Sequence, residues 1–386
     1  ERERRGRREE SIASHRIAAR RGALLFFSMA AACRAGGVCC TTHVTNVNAN
    51  ALSSTTTTTT SLRRRRRNES KSKSKSFVPA VLRSDQSPVP EGIDEVKLWV
   101  DANLSRTLGG GVVNTRSGPG GSGWAQTYVL EMKKGGKLFA KLARGRDKQM
   151  FEGEYEGLNA MEGTGAIGVP KAFHYDDLYG STSGSWILMD FVDMYGSLDQ
   201  AKLGLALGLM HSAEPLRDEA VEGSFGFHVE NTIGATPQPN GWMDSWVDFY
   251  RERRLLHQLK LTQDSKLLRL GDKALERMDE VFGDLEVKPS ILHGDLWSGN
   301  VAADKNGKPV IFDPACYYGH HEAEFGMSWC ANFTEHFWGA YREIIPQESG
   351  FKERLQLYKL YHYLNHLNLF GGSYYYQCES ILKQFN

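Results

Sequence analysis

The amino-acid sequence predicts an α+β chain in which a small β-rich lobe precedes a larger, mainly helical one. Three observations carry this. Residues 91–192 hold short apolar, β-forming runs punctuated by glycine, among them "WAQTYVLEM", "LFAKLA" and "SWILMDFV". Residues 193–386 are dominated by segments with apolar residues at helical spacing. Within that helical part, "ILHGDLWSGNVAADKNGKPVIFDPACYYGH" (Ile291–His320) sets polar groups between short hydrophobic runs, the pattern of a strand–loop–strand insertion.

The first 90 residues stand apart as a leader. They carry 18 Lys/Arg against 6 Asp/Glu, whereas the remainder carries 29 against 40. A basic leader thus precedes an acidic body with no charge-based reason to bind nucleic acid or an anionic membrane. From Ser11 to Asn68 there is no acidic residue, and "TTTTTTSLRRRRRNESKSKSKS" (Thr55–Ser76) is low-complexity and expected to be disordered. Acid-poor, Arg- and Ser/Thr-rich composition is that of an organellar transit peptide, chloroplast ahead of mitochondrion, with a cytoplasmic protein as the alternative. "MAAACRAGG" from Met29 reads as a natural start. "GALLFFSMAAAC" (Gly22–Cys33) could instead be the apolar part of a secretory signal, but it is too short to span a bilayer. The body also lacks disulfide patterning: Cys316, Cys330 and Cys378 are isolated, and no Cys/His spacing suggests zinc. "RRRRR" has two further readings, a solvated basic run or a nuclear signal.

Along the body, "IDEVKLWVDANLSRTL" reads as a helix, followed by the glycine-rich "GGGVVNTRSGPGGSG". "WAQTYVLEM" and "LFAKLA" are strands joined by a "KKGGK" hairpin turn. "DKQMFEGEYEGLNAMEGTG" is a helix ending at glycine, with Asp147 as candidate N-cap, and "SWILMDFV" is a buried strand. Further helices are expected at "SLDQAKLGLALGLMHSAE", "WMDSWVDFYRERRLLHQLKL", "SKLLRLGDKALERMDEVF", "AEFGMSWCANF" and "RLQLYKLYHYLNHLNLF". No internal repeat is visible.

Four features in chain order suggest chemistry. The turn "GPGGSG" (Gly118–Gly123), with Gly120 and Gly121 at its centre, would let backbone N–H groups approach a phosphate, although such turns are more often plain loops. Lys141 sits in an apolar strand, where an unpaired ammonium is costly, so it either faces solvent or meets an anion. The next helix offers Glu152, Glu154 and Glu156 as partners. Finally, His293, Asp295 and Asn300 form H-x-D-x-x-x-x-N, and Asp313 follows Asn300 by 13 residues at the end of "PVIFD". One carboxylate could orient an attacking hydroxyl, while an amide oxygen and a second carboxylate are hard ligands of the kind Mg²⁺ prefers. The bland alternative is a polar turn with capping Asp and Asn.

The spacing resembles the catalytic loop and metal-binding aspartate of kinase-fold phosphotransferases. "HGDLWSGN" followed by "FDPACYYGHHEAE", together with "MFEGEYEGLNAM", "NTIGATPQPNGWMDSWVDFYRERRL" and "LYHYLNHLNLFG", narrows this. From about Ile93 to the C-terminus the chain resembles the fructosamine kinase (ketosamine-3-kinase) family, relatives of aminoglycoside phosphotransferases and choline kinases, and its plant members in particular. The resemblance implies a two-lobed protein-kinase-like fold of the aminoglycoside phosphotransferase type. It also implies ATP and Mg²⁺ as cofactors and glycated proteins as substrates, phosphorylated on the ketosamine 3-hydroxyl to start deglycation.

Carried over to matching positions, Asp295 would be the catalytic base, Asn300 and Asp313 the metal ligands, and Lys141 the phosphate lysine paired with Glu154. The backbone of Met189, Asp190 and Phe191, with Val192, would read adenine. Trp297 would be a platform for the sugar, and Trp242 and Trp246 either line the same cleft or pack helices. Glu324 would brace the catalytic loop, and His293 would hold the Asp313 region. His211, His320 and His321 are expected to be satisfied structural histidines, not metal ligands. Family members usually read "GGGxIN" or "GGGCIN" where this chain has "GPGGSGWAQ", which puts Ser122 at the cysteine position and argues for a monomer over a disulfide-linked dimer. Gly109–Gly111 is the other glycine run that could match. Another small-molecule kinase of the aminoglycoside or choline type, or a non-catalytic nucleotide-binding scaffold, are the competing readings.

Overall fold

In the computed structural model, residues 92–120, 125–180 and 183–386 are described. The leader and Gly121–Trp124, which include the candidate Gly121 and Ser122, lie outside the described residues.

Helix α1 (Ile93–Asn103) leads into a five-stranded antiparallel sheet of β1 (Val112–Ser117), β2 (Gln126–Met132), β3 (Lys137–Arg144), β4 (Ala172–Asp177) and β5 (Gly184–Asp190). Its strand order is β1-β2-β3-β5-β4. The β2–β3 hairpin closes where the sequence predicts, and Gly135 supplies the positive φ of 89° that the turn requires. Side-chain alternation then decides what each face holds. Leu138, Ala140 and Leu142 of β3, with Trp186 and Leu188 of β5, pack against Val96 and Val100 of α1. Phe139 and Ala143, with Ile187 and Met189, face the main core instead. Lys141 shares this second face, toward helix α2 (Gln149–Gly163), which lies between β3 and β4 in sequence.

The expected β2, β3, β5 and α2 are therefore present, but both sheet edges are additional. β1 ("VVNTRS") is largely exposed and β4 ("AFHYDD") only partly buried, and neither has the continuous apolar run that marks a buried strand. Asp147 accepts the Gln149 N–H at 3.2 Å, one position outside the helix cap, while Asp177 takes the Lys148 N–H at 2.8 Å. The helix stops before Gly165, whose φ is 64°.

The remaining chain is mainly helical. Helix α3 (Gln200–Ser212) is capped by Asp199 and packs on α5 (Glu335–Ile344). Helix α4 (Ser265–Glu276) is capped by Asp264. The long α6 (Phe351–Phe370) runs through the core, and α7 (Tyr374–Leu382) packs on it. The expected helix at "WMDSWVDFYRERRLLHQLKL" contains a π-helical stretch, Tyr250–Leu256, that turns Arg254 fully inward. There the guanidinium lies on the rings of Tyr317 (4.1 Å) and Phe249 (4.6 Å). "AEFGMSWCANF" is 3-10 helix over His321–Met327 and one α-turn after it, not a regular amphipathic helix.

Four short hairpin strands punctuate this lobe after β6 (Asn231–Ile233) pairs with β7 (Thr236–Gln238). β8 (Ser290–Leu292) pairs with β11 (Tyr317–Gly319), and β9 (Val301–Ala303) pairs with β10 (Pro309–Ile311). The two pairs set the loops 293–300 and 312–316 side by side. Among the described residues, no helix is long and apolar enough to cross a membrane.

Candidate active site

Lys141 joins two elements. Its Nζ lies 2.6 Å from Glu154 Oε1 on α2 and 2.5 Å from Asp313 Oδ1. Burial disfavours the ammonium, but Asp313 and Glu154 more than offset this and hold it above its ordinary range. The three candidate glutamates have separate partners. Glu152 accepts from the Tyr175 hydroxyl at 2.9 Å, Glu154 from Lys141, and Glu156 from Arg217 at 3.3 Å with His228 Nε2 at 3.0 Å.

Asp313 has a φ of 59°, one of three positive values outside glycine among the described residues. Such a conformation costs on the order of 1 kcal/mol and persists where neighbours over-determine it. Here they do. His293 Nε2 lies 2.8 Å from Phe312 O, Ala315 N–H donates to His293 O at 2.9 Å, and Phe312 N–H donates to Asn300 O at 3.2 Å. Burial lowers the His293 imidazole, so it is neutral, with Nδ1 free to accept the Asp295 N–H at 3.2 Å. His293 thus ties the loop carrying Asp295 to the one carrying Asp313.

Glu324 fastens the other side of the loop. Its carboxylate accepts the N–H groups of His293 (2.6 Å) and Gly294 (3.0 Å) and lies 3.2 Å from His211 Nε2. Burial alone would raise it, yet the contact with His211 and the hydrogen bond from the His293 N–H hold it below the usual glutamate value. His320 and His321 bond the Tyr358 and Tyr341 hydroxyls at 2.7 and 3.0 Å, and Glu322 is engaged by Arg354. These three side chains could approach one ion, but each already has a protein partner.

Asp295 is half-buried. Burial, reinforced by Asp313 and Glu324, pushes its carboxyl up to about 7, against the pull of the Asn300 amide. Asn300 Nδ2 donates to Asp295 O at 2.9 Å and points at Asp313 O at 3.5 Å. Its amide oxygen is then the atom able to coordinate a cation. With Asp313 half-exposed, its second carboxylate oxygen adds another hard donor, a set that fits Mg²⁺.

Not every candidate meets this centre. Trp246 is 3 % exposed, ringed by Phe225, Phe249, Tyr250 and Tyr358, and gives its indole N–H to Tyr358 at 3.2 Å. It is a core residue and presents no face to a substrate. Trp242 is half-buried and stacks on Tyr318 at 6.1 Å. Trp297 is half-buried in the Asp295 loop and folds over Gly299, where a Cβ would come within 2.2 Å of its ring. At the candidate hinge, the Asp190 and Phe191 N–H groups are committed to Lys171 O (2.9 Å) and Lys137 O (3.2 Å). Of the glycine runs, Gly109–Gly111 precedes β1, whereas Gly118 and Gly120 follow it, in the β1–β2 connection.

Sequence reasoning missed a buried polar clasp under Asp313. Asn231 Nδ2 donates to Cys316 O (2.7 Å), and Gln238 Nε2 to Asn231 Oδ1 (2.8 Å) and Ala315 O (3.1 Å). Tyr361 OH donates to Gln238. The only signal was amide side chains in "NTIGATPQPNG", which local patterning cannot distinguish from a surface loop.

A β-sheet lobe whose lysine–glutamate pair meets an Asp/Asn/Asp loop on a helical lobe defines a kinase-fold phosphotransferase. The fructosamine kinase family model matches residues 100–386, and the chain belongs to that family. It is 42% identical over 319 residues to chloroplastic protein-ribulosamine 3-kinase of Arabidopsis thaliana, covering 80% of this chain and 94% of the relative. A crystallised putative fructosamine-3-kinase of Thermobifida fusca is 28% identical with a TM-score of 0.64, over 74% of this chain and 98% of its own. An aminoglycoside phosphotransferase in complex with AMP-PNP and hygromycin B shares the fold, with 14% identity and a TM-score of 0.51 over 75% and 98% of the two chains.

Proposed function

We propose that the chain is an ATP-dependent kinase that phosphorylates the 3-hydroxyl of protein-bound ketosamines and so initiates deglycation. The observation that carries this is Asp295, its carboxyl near 7, beside Asn300 and an Asp313 tied to Lys141. On this reading the hydroxyl oxygen attacks the γ-phosphorus, the bond to ADP breaks, and Asp295 takes the proton. Lys141, fixed by Glu154, offsets charge on the phosphates. Asn300 and Asp313 would hold Mg²⁺, which neutralises phosphate charge when bound. Gly120 and Gly121 would approach the phosphates, and Trp297 would support the sugar. With the Asp190 and Phe191 N–H groups committed and Met189 paired with Phe139 and Ala172 inside the sheet, adenine contacts fall to the main chain from Val192 onward. Residues 91–192 then form the nucleotide lobe and 193–386 the acceptor lobe.

The test is incubation with ATP and Mg²⁺ on proteins bearing ribulosamine, erythrulosamine or fructosamine. Phosphate transfer favouring ribulosamine and erythrulosamine is expected. Transfer only to aminoglycosides or choline would favour the other small-molecule kinases, and no transfer at all a scaffold.

The leader composition and the 42% identity to a chloroplastic relative support a chloroplast location, with residues 1–90 as transit peptide. A fluorescent protein carrying residues 1–90 should enter plastids; retention in the cytosol would overturn this.

A further inference from the structure

Helix α2 carries Glu154 between two glycines one helical turn apart, Gly153 and Gly157, neither of which caps it. A mid-helix glycine is unfavourable by about 1 kcal/mol relative to alanine, so some contact must require it. A Cβ on Gly153 would lie 2.4 Å from Asn231 Cβ and 2.9 Å from Asn231 Cα. A Cβ on Gly157 would lie 2.7 Å from Cys316 Cβ and 3.3 Å from Pro314 Cγ. The helix therefore rests at Gly153 on the backbone at Glu230 and Asn231, where β6 begins, and at Gly157 on the side chains of Pro314 and Cys316, just after Asp313. Asn231 binds those two supports together through Cys316 O, and Gln238 secures Asn231 and Ala315 O. On its flanks α2 is tied by Glu152 to Tyr175 of the sheet and by Glu156 to Arg217 and His228.

We propose that Gly153, Gly157 and Asn231 are positioning residues: they seat α2 on the Asp313 segment so that Glu154, Lys141 and Asp313 are held as one rigid unit. Protein kinases can switch by swinging the equivalent glutamate helix away. Here Gly153 and Gly157 sit so close to Asn231, Pro314 and Cys316 that the helix has no clearance to roll in place, which keeps the lysine–glutamate–aspartate geometry assembled. The role in catalysis rests on the kinase reading above; the docking itself does not.

The test compares Gly157→Ala, Gly157→Ala with Cys316→Gly, and Gly163→Ala. Carbon atoms pack at about 3.5–4.0 Å, so a new methyl at 157 must displace α2 by roughly 1 Å. Gly163 lies on the same helix, but its Cβ would meet only the tip of the Leu216 side chain, which can move. We expect Gly157→Ala to lower kcat/KM for ATP by about 10–100-fold, with the acceptor KM unchanged and the protein still folded. Removing the opposing Cβ in the double variant should recover most of that loss, and Gly163→Ala should stay within about twofold of wild type.

Unchanged activity in Gly157→Ala would overturn the proposal. So would a loss that merely follows a lowered Tm, or failure of Cys316→Gly to rescue. Should the wild type transfer no phosphate, the kinase reading fails on its own. The Kd of the same proteins for a fluorescent ATP analogue then tests the docking, with equal affinities overturning it.

Discussion

Asp295→Asn is expected to lower kcat by about 10²–10⁴-fold, the usual weight of a positioned general base, while making the unliganded protein more stable near pH 8. Both effects come from one cause. In the fold the carboxyl is pushed up to about 7 by burial, with Asp313 and Glu324 adding to it. In the unfolded chain it titrates near the ordinary value of about 3.9. Between those values the folded protein binds a proton that the unfolded chain does not. Stability therefore falls as pH rises from about 4 to about 7, and the full penalty persists above that. Asparagine carries no charge and removes it. Allowing for the half-buried position, the gain should be on the order of 2 kcal/mol at pH 8 and vanish near pH 4.

Thermal melts across pH would read this directly, and a Tm difference that does not grow with pH would contradict it. The wild-type kcat/KM should rise through about pH 7 as the base loses its proton. A flat profile from pH 6 to 8, or phosphate transfer that survives Asp295→Asn, would remove Asp295 from the role.

Lys141→Met is the second large effect. It is expected to abolish turnover and to destabilise the fold by about 2–4 kcal/mol, because breaking a buried pair from one side leaves the other charge uncompensated. Of the two carboxylates released, Asp313 is half-exposed and can be hydrated, whereas the Glu154 side chain is only 12% accessible. Burial already raises the Glu154 carboxyl. Without Lys141 it should rise further, so acidification relieves the variant: the loss measured by urea unfolding should be smaller at pH 5 than at pH 8. Adding Glu154→Gln should restore stability at pH 8 but not activity. Equal losses at both pH values would show that packing, not the stranded carboxylate, accounts for the cost.

The parts of this centre legible in sequence are those defined by residue type at fixed spacing. Asp295, Asn300 and Asp313 are read from one short motif, and Lys141 from the anomaly of a cation in an apolar strand. Strands β2, β3 and β5 announce themselves because they are buried on both faces or on one. β1 and β4 do not, since edge strands need few apolar residues, and "VVNTRS" reads equally well as loop. Tertiary contacts decide the rest. Trp246 and Trp242 are near neighbours in sequence, yet one is enclosed by aromatic side chains and the other is half-exposed. Nothing in "GWMDSW" distinguishes them. The amides Asn231 and Gln238 are equally silent, because their partners are backbone carbonyls more than 70 residues away.

The left-handed backbone at Asp313 separates what folding asks of this position from what the reaction asks. Asparagine tolerates that conformation about as well as aspartate, and glycine better. The Lys141 contact aside, a chain with either residue there would fold comparably well. The backbone conformation therefore does not guard the aspartate; the ion pair with Lys141 and selection for turnover do. A copy of this gene released from its catalytic duty could take asparagine or glycine at 313 without backbone strain, losing only what the Lys141 pair contributes, so the residue at 313 helps to tell working enzymes from retired descendants.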